Sequence, residues 1–176
     1  MHTLKLHTYQ EKAVDFWLKN ETVYYAVDTG RGKTIIALKA VEKIGEPALI
    51  LGPIRPIYDT WPVEIKKWRM PFKHTIIHRR KTAGNLWEKN DLYLANFESL
   101  KIIYEHLIER QKKRLPMPFT TLVIDEGSMI KDPKRNRFDF LCAIRNAFKY
   151  VAILSGTPAP NTLANLWSQY RVLDKG

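Results

Sequence analysis

Six short apolar runs, rich in β-branched and aromatic residues, recur along this chain, and the stretches between them have helical spacing. The runs are TVYYAV (22–27), PALILG (47–52), HTIIH (74–78), DLYLANF (91–97), TTLVIDE (120–126) and YVAILSG (150–156). Strands that alternate with helices form βαβ units, which build a mainly parallel sheet with helices on both faces. Most of the runs are almost wholly apolar, as expected where both sheet faces are covered. We therefore predict an α/β fold in a single domain.

The helices are indicated by apolar side chains that share one face. Three segments show the pattern: Ile35, Leu38 and Val41; Trp61, Ile65 and Trp68; and Leu100, Ile103 and Leu107. The two tryptophans of the second segment could stack on nucleic-acid bases, but their shared face favours packing at least as much.

The net charge of +11 over 176 residues constrains the partner. It favours a polyanion, nucleic acid first and an anionic membrane surface second, although a merely soluble basic surface gives the same charge. No apolar run approaches the ~20 residues of a membrane helix, and the N-terminus lacks the apolar core of a signal peptide. The single cysteine, Cys142, excludes an intrachain disulfide and fits a reducing compartment. We expect a protein of the cytosol or the chromosome with no membrane partner.

A glycine-rich loop, VDTGRGKT, begins at Val27 between a predicted strand and a predicted helix, the context in which such loops bind phosphates. Gly30 and Gly32 can turn successive backbone amides inward, and the start of the next helix adds unpaired amides. Lys33 can reach the β and γ phosphates of a nucleotide, and the Thr34 hydroxyl can bind Mg²⁺. Because Val27 stands where the phosphate-loop pattern has a small residue, a coincidental turn is an equal alternative for the loop alone.

Two adjacent carboxylates, Asp125 and Glu126, end the strand-like run TTLVIDE. A nucleotide-hydrolysing site needs one carboxylate for Mg²⁺ and one group to orient the attacking water, and these residues fit the two roles in that order. Ligands of open α/β sheets collect at the carboxyl ends of the strands, where both side chains should lie. With LSGTP following in order, the loop is predicted to be a nucleotide site.

At this point the chain resembles the first RecA-like lobe of a superfamily 2 helicase, and it is most similar to the Swi/Snf-type duplex DNA translocases. The matching motifs occur in order: LHTYQEKAVDF (the L-x-x-Y-Q segment), AVDTGRGKT (motif I), LILGPIRPIYDTWPVEIKKW (motif Ia and the next helix), YLANFESL (the TNYE region), VIDEGSMIKD (motif II) and AILSGTPAPNTLANLWSQYRVLD (motif III). The resemblance covers nearly the whole chain and implies a RecA-like P-loop domain over residues 1–176.

The resemblance implies a role for each matching residue. Gln10 selects adenine, Glu126 activates water, and Thr34 and Asp125 hold Mg²⁺. The ATP phosphates are bound by the loop residues Thr29, Gly30, Arg31, Gly32, Lys33 and Thr34. Nucleotide state is coupled to nucleic acid by Ser155, Gly156 and Thr157. The resemblance also places Pro53, Arg55, Asn96 and Ser99 in loops that contact nucleic acid. Lys131, Lys134 and Arg135 belong to the basic cluster KDPKRNR after motif II, which is predicted to contact a phosphate backbone, with a solvated loop as the alternative.

The chain departs from the family pattern at several points. Gly127 and Ser128 replace the usual alanine and its following His, Asp or Gln, and Ser155 replaces a threonine. The family also has a second RecA-like lobe, which supplies motifs IV to VI and an arginine finger. This chain stops at RVLDKG, about where the first lobe ends, so we expect the second lobe in the same or another chain.

The sequence thus predicts the ATP-binding motor lobe of an ATP-dependent duplex DNA translocase, an ATP hydrolase in its two-lobed form. A single-strand DNA or RNA helicase lobe is the alternative within this class, although the W-x-x-E-I-x-K-W helix, IKD and SGTP favour the duplex translocases. A non-catalytic ATP- or DNA-binding adaptor module is the alternative of another class. His74 and His78 are four apart on a predicted strand, ~13 Å, which is too far for one metal ion.

Overall fold

The computed structural model describes residues 5–77, 89–131, 136–156 and 163–174. Its strands are β1 (Thr22–Ala26), β2 (Ala48–Gly52), β3 (His74–Ile77), β4 (Leu92–Asn96), β5 (Thr121–Asp125) and β6 (Tyr150–Ser155). Its α-helices are α1 (Thr8–Lys19), α2 (Lys33–Ile44), α3 (Trp61–Lys67), α4 (Leu100–Lys112), α5 (Arg137–Ile144) and α6 (Leu163–Leu173). Shorter helical segments are a π-helix at Pro56–Thr60 and 3-10 turns at Phe97–Ser99, Gly127–Lys131 and Arg145–Ala147.

All six strands form one sheet in the order β1-β6-β5-β2-β4-β3, and every neighbouring pair is parallel. Each strand lies inside one of the six apolar runs of the sequence, so the prediction of a parallel α/β sheet is confirmed. The three predicted helical segments are also helical, although α3 ends one residue before Trp68.

The helices cover both faces of the sheet, because alternate residues of each strand point to opposite sides. On β2, Ala48 and Ile50 belong to a core shared with α1, α2 and α3, whereas Leu49 and Leu51 belong to a second core shared with α4, α5 and α6. Every residue of β2 is buried, which explains its unbroken apolar sequence. Within the described residues, no helix is long and apolar enough to cross a membrane.

The parallel arrangement brings the carboxyl ends of the strands to one edge of the sheet. Ala26 at the end of β1 is in register with Ser155 at the end of β6, and Gly52 at the end of β2 is in register with Asn96 at the end of β4. Asp125 ends β5 between these two pairs. Asn96, Asp125 and Ser155, which the sequence singles out at the ends of three strands, therefore share one edge, where ligands of open α/β sheets bind.

Candidate nucleotide site at the strand edge

The glycine-rich loop joins β1 to α2 and has the backbone that a phosphate site needs. Gly30 and Gly32 have φ values of 82° and 79°, in the left-handed region that favours glycine. Gly32 is the residue before α2, and no side chain among the described residues caps the helix, which leaves its first amides to a ligand. A phosphate placed there would also meet the positive end of the helix dipole. The loop is therefore suited to an anion.

Lys33, the first residue of α2, turns its side chain back over the loop. Its Nζ donates a hydrogen bond of 2.7 Å to the carbonyl oxygen of Val27. The Val27 amide in turn donates to the carbonyl of Ser155 at 3.0 Å, which ties the loop to the end of β6. These hydrogen bonds hold the lysine charge at the loop.

The N-terminus of α1 supports the loop from outside. The Tyr9 hydroxyl donates to the Arg31 carbonyl at 2.7 Å, and Gln10 Nε2 donates to the same oxygen at 3.3 Å. Gln10 Oε1 accepts from the His7 amide at 2.9 Å, and only 5% of the residue is exposed. A Cβ on Gly32 would collide with the Gln10 amide, so close approach is a second reason for glycine there. Gln10 braces the phosphate loop, and its adenine role stays a prediction.

The end of β6 lies against the same loop. A Cβ on Gly156 would lie 3.2 Å from Thr29 Oγ1 and 3.4 Å from Lys33 Nζ, so the glycine lets the strand end approach the loop closely. The Ser155 hydroxyl is buried near the Tyr24 phenol, but it meets no partner of good hydrogen-bond geometry within the described residues. The predicted coupling residues Ser155 and Gly156 therefore contact the site, whereas Thr157 lies outside the described residues.

Asp125, at the end of β5, is held by a residue from another element. The Trp61 indole Nε1 donates to Asp125 Oδ2 at 3.0 Å. Burial raises the pKa of the Asp125 carboxyl, and the nearby Glu126 charge raises it further, while the Trp61 hydrogen bond and the Lys33 charge lower it. The two carboxylates and the lysine are therefore close enough to interact electrostatically. Mg²⁺ in nucleotide sites is usually bound through one or two carboxylates and the substrate phosphates, which fits Asp125 and the Thr34 hydroxyl.

Glu126 adopts an uncommon backbone conformation, with a φ of 60°. Its Oε1 accepts a hydrogen bond of 2.8 Å from the Ser128 hydroxyl, so the position where the chain departs from the family pattern contacts the predicted base. Gly127 between them is tightly packed: a Cβ there would lie 2.7 Å from Gln169 Oε1 of α6. Gln169 also accepts from the Tyr24 hydroxyl at 2.7 Å. The turn that carries Glu126 is thus supported by α6 and β1.

Four of the predicted nucleic-acid residues, Pro53, Arg55, Asn96 and Ser99, lie on the other half of the strand edge. Pro53, Arg55 and Asn96 line a cavity of about 410 Å³. Arg55 is exposed, but Ser99 is fully buried, and its hydroxyl donates to the Ile77 carbonyl at 3.2 Å and to Asn96 Oδ1 at 3.1 Å. Ser99 therefore shapes the turn after β4, and its side chain is not available to a phosphate.

Several of the remaining predicted residues lie outside the part of the chain that the structure describes. Lys134, Arg135 and His78 lie outside the described residues. The backbone of Lys131 ends the 3-10 turn Gly127–Lys131, but the structure does not describe the Lys131 side chain. Among the residues that the structure describes, no group of three or more His, Cys, Asp or Glu side chains could hold a metal ion. His74 lies on β3, as the strand prediction requires.

Comparison with known proteins gives one family. The family model described as SNF2-related domain matches residues 9–175. The chain is 27% identical over 184 residues to the CHD3-type chromatin-remodeling factor CHR7 of Arabidopsis thaliana, covering 96% of this chain and 15% of that protein. It is 27% identical over 193 residues to the protein p41 of Acyrthosiphon pisum secondary endosymbiont phage 1, covering 100% of this chain and 40% of that protein.

A solved structure has the same fold. The SWI2/SNF2 ATPase core of Sulfolobus solfataricus, solved in complex with dsDNA, superposes with a TM-score of 0.78 at 24% identity. The match covers 99% of this chain and 36% of that chain. The RecA-like fold is thereby confirmed, and this chain corresponds to well under half of the relatives and of the core that it matches.

Proposed function

Because the chain belongs to the SNF2-related domain family, we propose that it is the ATP-binding motor lobe of an ATP-dependent duplex DNA translocase. One observation carries the proposal: two separate segments bring a left-handed glycine loop with the Lys33 amine, and the Asp125–Glu126 pair, to one strand edge. A binding module for a neutral ligand would need neither the cation nor the paired carboxylates. Phosphoryl transfer from ATP to water needs all three.

The residues fit the groups that this reaction requires. The amides at the start of α2 and the Lys33 amine would bind the phosphates, and Thr34 and Asp125 would hold Mg²⁺. The ion supplies positive charge at the β and γ phosphates and so favours departure of the diphosphate. Glu126 would accept a proton from the attacking water, because its carboxylate is oriented by Ser128 while the Lys33 amine donates to the Val27 carbonyl. Gln10 would brace the loop and select adenine.

The proposed motor includes a second RecA-like lobe in the same or another chain. The family resemblance supplies this expectation, and the chain spans 36% of the solved ATPase core. That lobe would contribute an arginine to the charge that develops during phosphoryl transfer, and its closure over ATP would move the two lobes along the duplex. We place the motor in the cytosol or on the chromosome, consistent with the net charge of +11.

The non-catalytic adaptor is the second candidate, and a hydrolysis assay separates the two. The isolated 176-residue chain should hydrolyse ATP barely above background. Adding a second lobe should raise turnover by about 10³–10⁵-fold, the contribution of an arginine finger. Duplex DNA should stimulate the two-lobed protein more than single strands of the same sequence.

Steady-state ATPase rates of the chain, with and without the second lobe and each DNA, provide the measurement. ATP binding without turnover in the two-lobed protein would identify an adaptor. Stronger stimulation by single strands or RNA would identify the other helicase class, and brisk turnover by the monomeric single lobe would contradict the two-lobe mechanism.

A further inference from the structure

The Asp125 carboxyl group is confined from two sides by residues outside the phosphate loop. Trp61 is fully buried, and its indole nitrogen lies 3.0 Å from Asp125 Oδ2. On the other side, a Cβ on Gly52 would lie 3.1 Å from Asp125 Cβ, so the end of β2 is already in close contact. The carboxylate is therefore held between the end of β2 and the start of α3.

We propose that Trp61 is a positioning residue for the magnesium ligand Asp125. Its indole N–H binds one lone pair of Oδ2 and keeps the others available to the ion in a fixed orientation. A carboxylate has about four such acceptor sites, so one hydrogen bond leaves enough for Mg²⁺. The inference rests on the proposed function, because it takes Asp125 to be the magnesium ligand.

An indole suits this position for chemical reasons. Its N–H donates but cannot accept, so Trp61 orients the carboxylate without competing for the ion, and it carries no charge that would repel a cation. Full burial excludes water that would otherwise compete for Asp125 Oδ2. Outer partners of a metal ligand typically change metal affinity by about 10–100-fold.

Trp61 also connects Asp125 to the predicted nucleic-acid loop along the chain. α3 begins at Trp61 directly after the π-helix Pro56–Thr60, which follows the predicted nucleic-acid loop at Pro53 and Arg55. Single-turn π segments are rare and often occur at functional sites. A shift of that loop would reach Asp125 through one short helical segment and one hydrogen bond.

Trp68 provides a matched control close by on the same segment. Its indole Nε1 donates to Glu64 Oε2 at 2.8 Å, the same pair of groups at nearly the same distance. Glu64 lies on α3 and not at the strand edge. Trp61→Phe and Trp68→Phe each remove one indole–carboxylate hydrogen bond and retain an aromatic ring.

The test is equilibrium binding of a fluorescent, non-hydrolysable ATP analogue, with excess Mg²⁺ and separately with EDTA. Trp61→Phe should reduce the gain in affinity that Mg²⁺ provides by about tenfold, the lower end of the range for outer partners of metal ligands. Its affinity in EDTA should stay within about twofold of the original protein, since the loop contacts are intact. Trp68→Phe should leave both affinities unchanged. A full magnesium gain in Trp61→Phe, or an equal loss in Trp68→Phe, would overturn the inference.

A second measurement avoids any substitution at Trp61 and serves if Trp61→Phe does not fold. With ¹⁵N-labelled tryptophan, the indole resonance of Trp61 can be assigned by elimination, using single Phe variants of the other four tryptophans. Adding Mg²⁺ to the nucleotide-saturated protein should shift the Trp61 resonance and leave that of Trp68 in place. An unmoved Trp61 resonance would refute the positioning role. Failure of the original protein to bind the nucleotide at all would instead refute the proposed function.

Discussion

The two halves of the strand edge differ in how their polar groups are engaged. The nucleotide half, at the ends of β1, β5 and β6, has left-handed glycines, an amine bonded to a backbone carbonyl and two neighbouring carboxylates. In the other half, at the ends of β2 and β4, the Asn96 and Ser99 side chains are hydrogen-bonded to each other, and the Arg55 side chain is exposed. Charged groups therefore lie close together in the first half, whereas the Asn96 and Ser99 side chains of the second half hold the turn after β4.

The two halves differ because a nucleotide phosphate and a nucleic-acid backbone place different requirements on the residues that would bind them. A phosphate bound by backbone amides requires particular φ angles and a helix start, so the residue types are constrained to glycine and a short spacing. A nucleic-acid backbone requires only exposed donors, which many residues can supply. Trp61 lies where the halves meet, on the element that follows one loop and in contact with the carboxylate of the other.

The largest effect of a single substitution is expected at Glu126. Glu126→Gln retains the shape and a hydrogen-bond acceptor for Ser128 but removes the base, so turnover of the two-lobed protein should fall by about 10²–10⁴-fold. ATP binding should persist, because Lys33 and the loop are unchanged. Single-turnover hydrolysis and nucleotide titration measure the two quantities.

Glu98 is the matched control from the other half, since it is an exposed carboxylate lining the cavity near Arg55. At saturating DNA, Glu98→Gln should leave turnover unchanged. If Glu126→Gln hydrolyses ATP at the original rate, Glu126 is not the base and the nucleotide half has been assigned incorrectly.

Lys33→Ala should affect binding rather than chemistry alone. Hydrogen bonds to charged groups contribute about 1.5–3 kcal/mol, so ATP affinity should fall by roughly 10–100-fold. The fold should survive, because the one hydrogen bond that the Lys33 amine makes within the described residues is to the Val27 carbonyl. Lys39→Ala removes a lysine of the same helix that pairs with Glu42 at 2.8 Å, and it should bind ATP normally. Calorimetric titration of the three proteins decides the matter, and equal affinities would rule out the phosphate site.

A substitution at Gln10 tests whether this residue only supports the glycine-rich loop or also selects the adenine base. Gln10→Ala removes the amide that contacts the Arg31 carbonyl, so affinity for both ATP and GTP should fall by severalfold. If Gln10 also selects adenine, ATP should lose more affinity than GTP. Competition binding of the two nucleotides measures the difference, and an equal loss would leave Gln10 with the bracing role only.

Much of the fold could be predicted because it depends on local patterns. Each strand has an apolar run, and α2 and α4 have one apolar face, so their positions require no knowledge of distant contacts. The order of the strands was not accessible in this way. It depends on which helices cover which face, and the run that forms β2 has the same character as the run that forms β5.

The site shows the same division. Gly30, Gly32 and Lys33 are adjacent in sequence, so their spacing indicates the phosphate loop. The contact between Trp61 and Asp125 spans 64 residues, and nothing in the spacing of either motif indicates it. The support of Gly127 by Gln169 is equally remote. The L-x-x-Y-Q pattern did contain Tyr9, but only the structure shows that its hydroxyl holds the Arg31 carbonyl.

The smallest effect tests the nucleic-acid half and compares Arg55 with Ser99. Each contact to a DNA phosphate contributes about one unit to the slope of log affinity against log salt. Arg55→Ala should therefore lower that slope by about 1 in the two-lobed protein. Ser99→Ala should leave it unchanged and instead lower stability by about 1–3 kcal/mol, because the Ile77 carbonyl and Asn96 lose a buried partner.

Fluorescence anisotropy of a labelled duplex at several salt concentrations gives both slopes, and chemical denaturation gives the stability. The two variants should thus have opposite effects. Arg55→Ala should change DNA binding in a stable protein, and Ser99→Ala should lower stability with normal DNA binding.

If Ser99→Ala lowers the slope as Arg55→Ala does, the serine hydroxyl contacts the DNA backbone once DNA is bound. The turn after β4 would then have to open on binding, and the second half of the edge would depend on its ligand for its final shape. If neither variant changes the slope, Arg55 does not neutralise a DNA phosphate, although it is an exposed cation that lines the cavity.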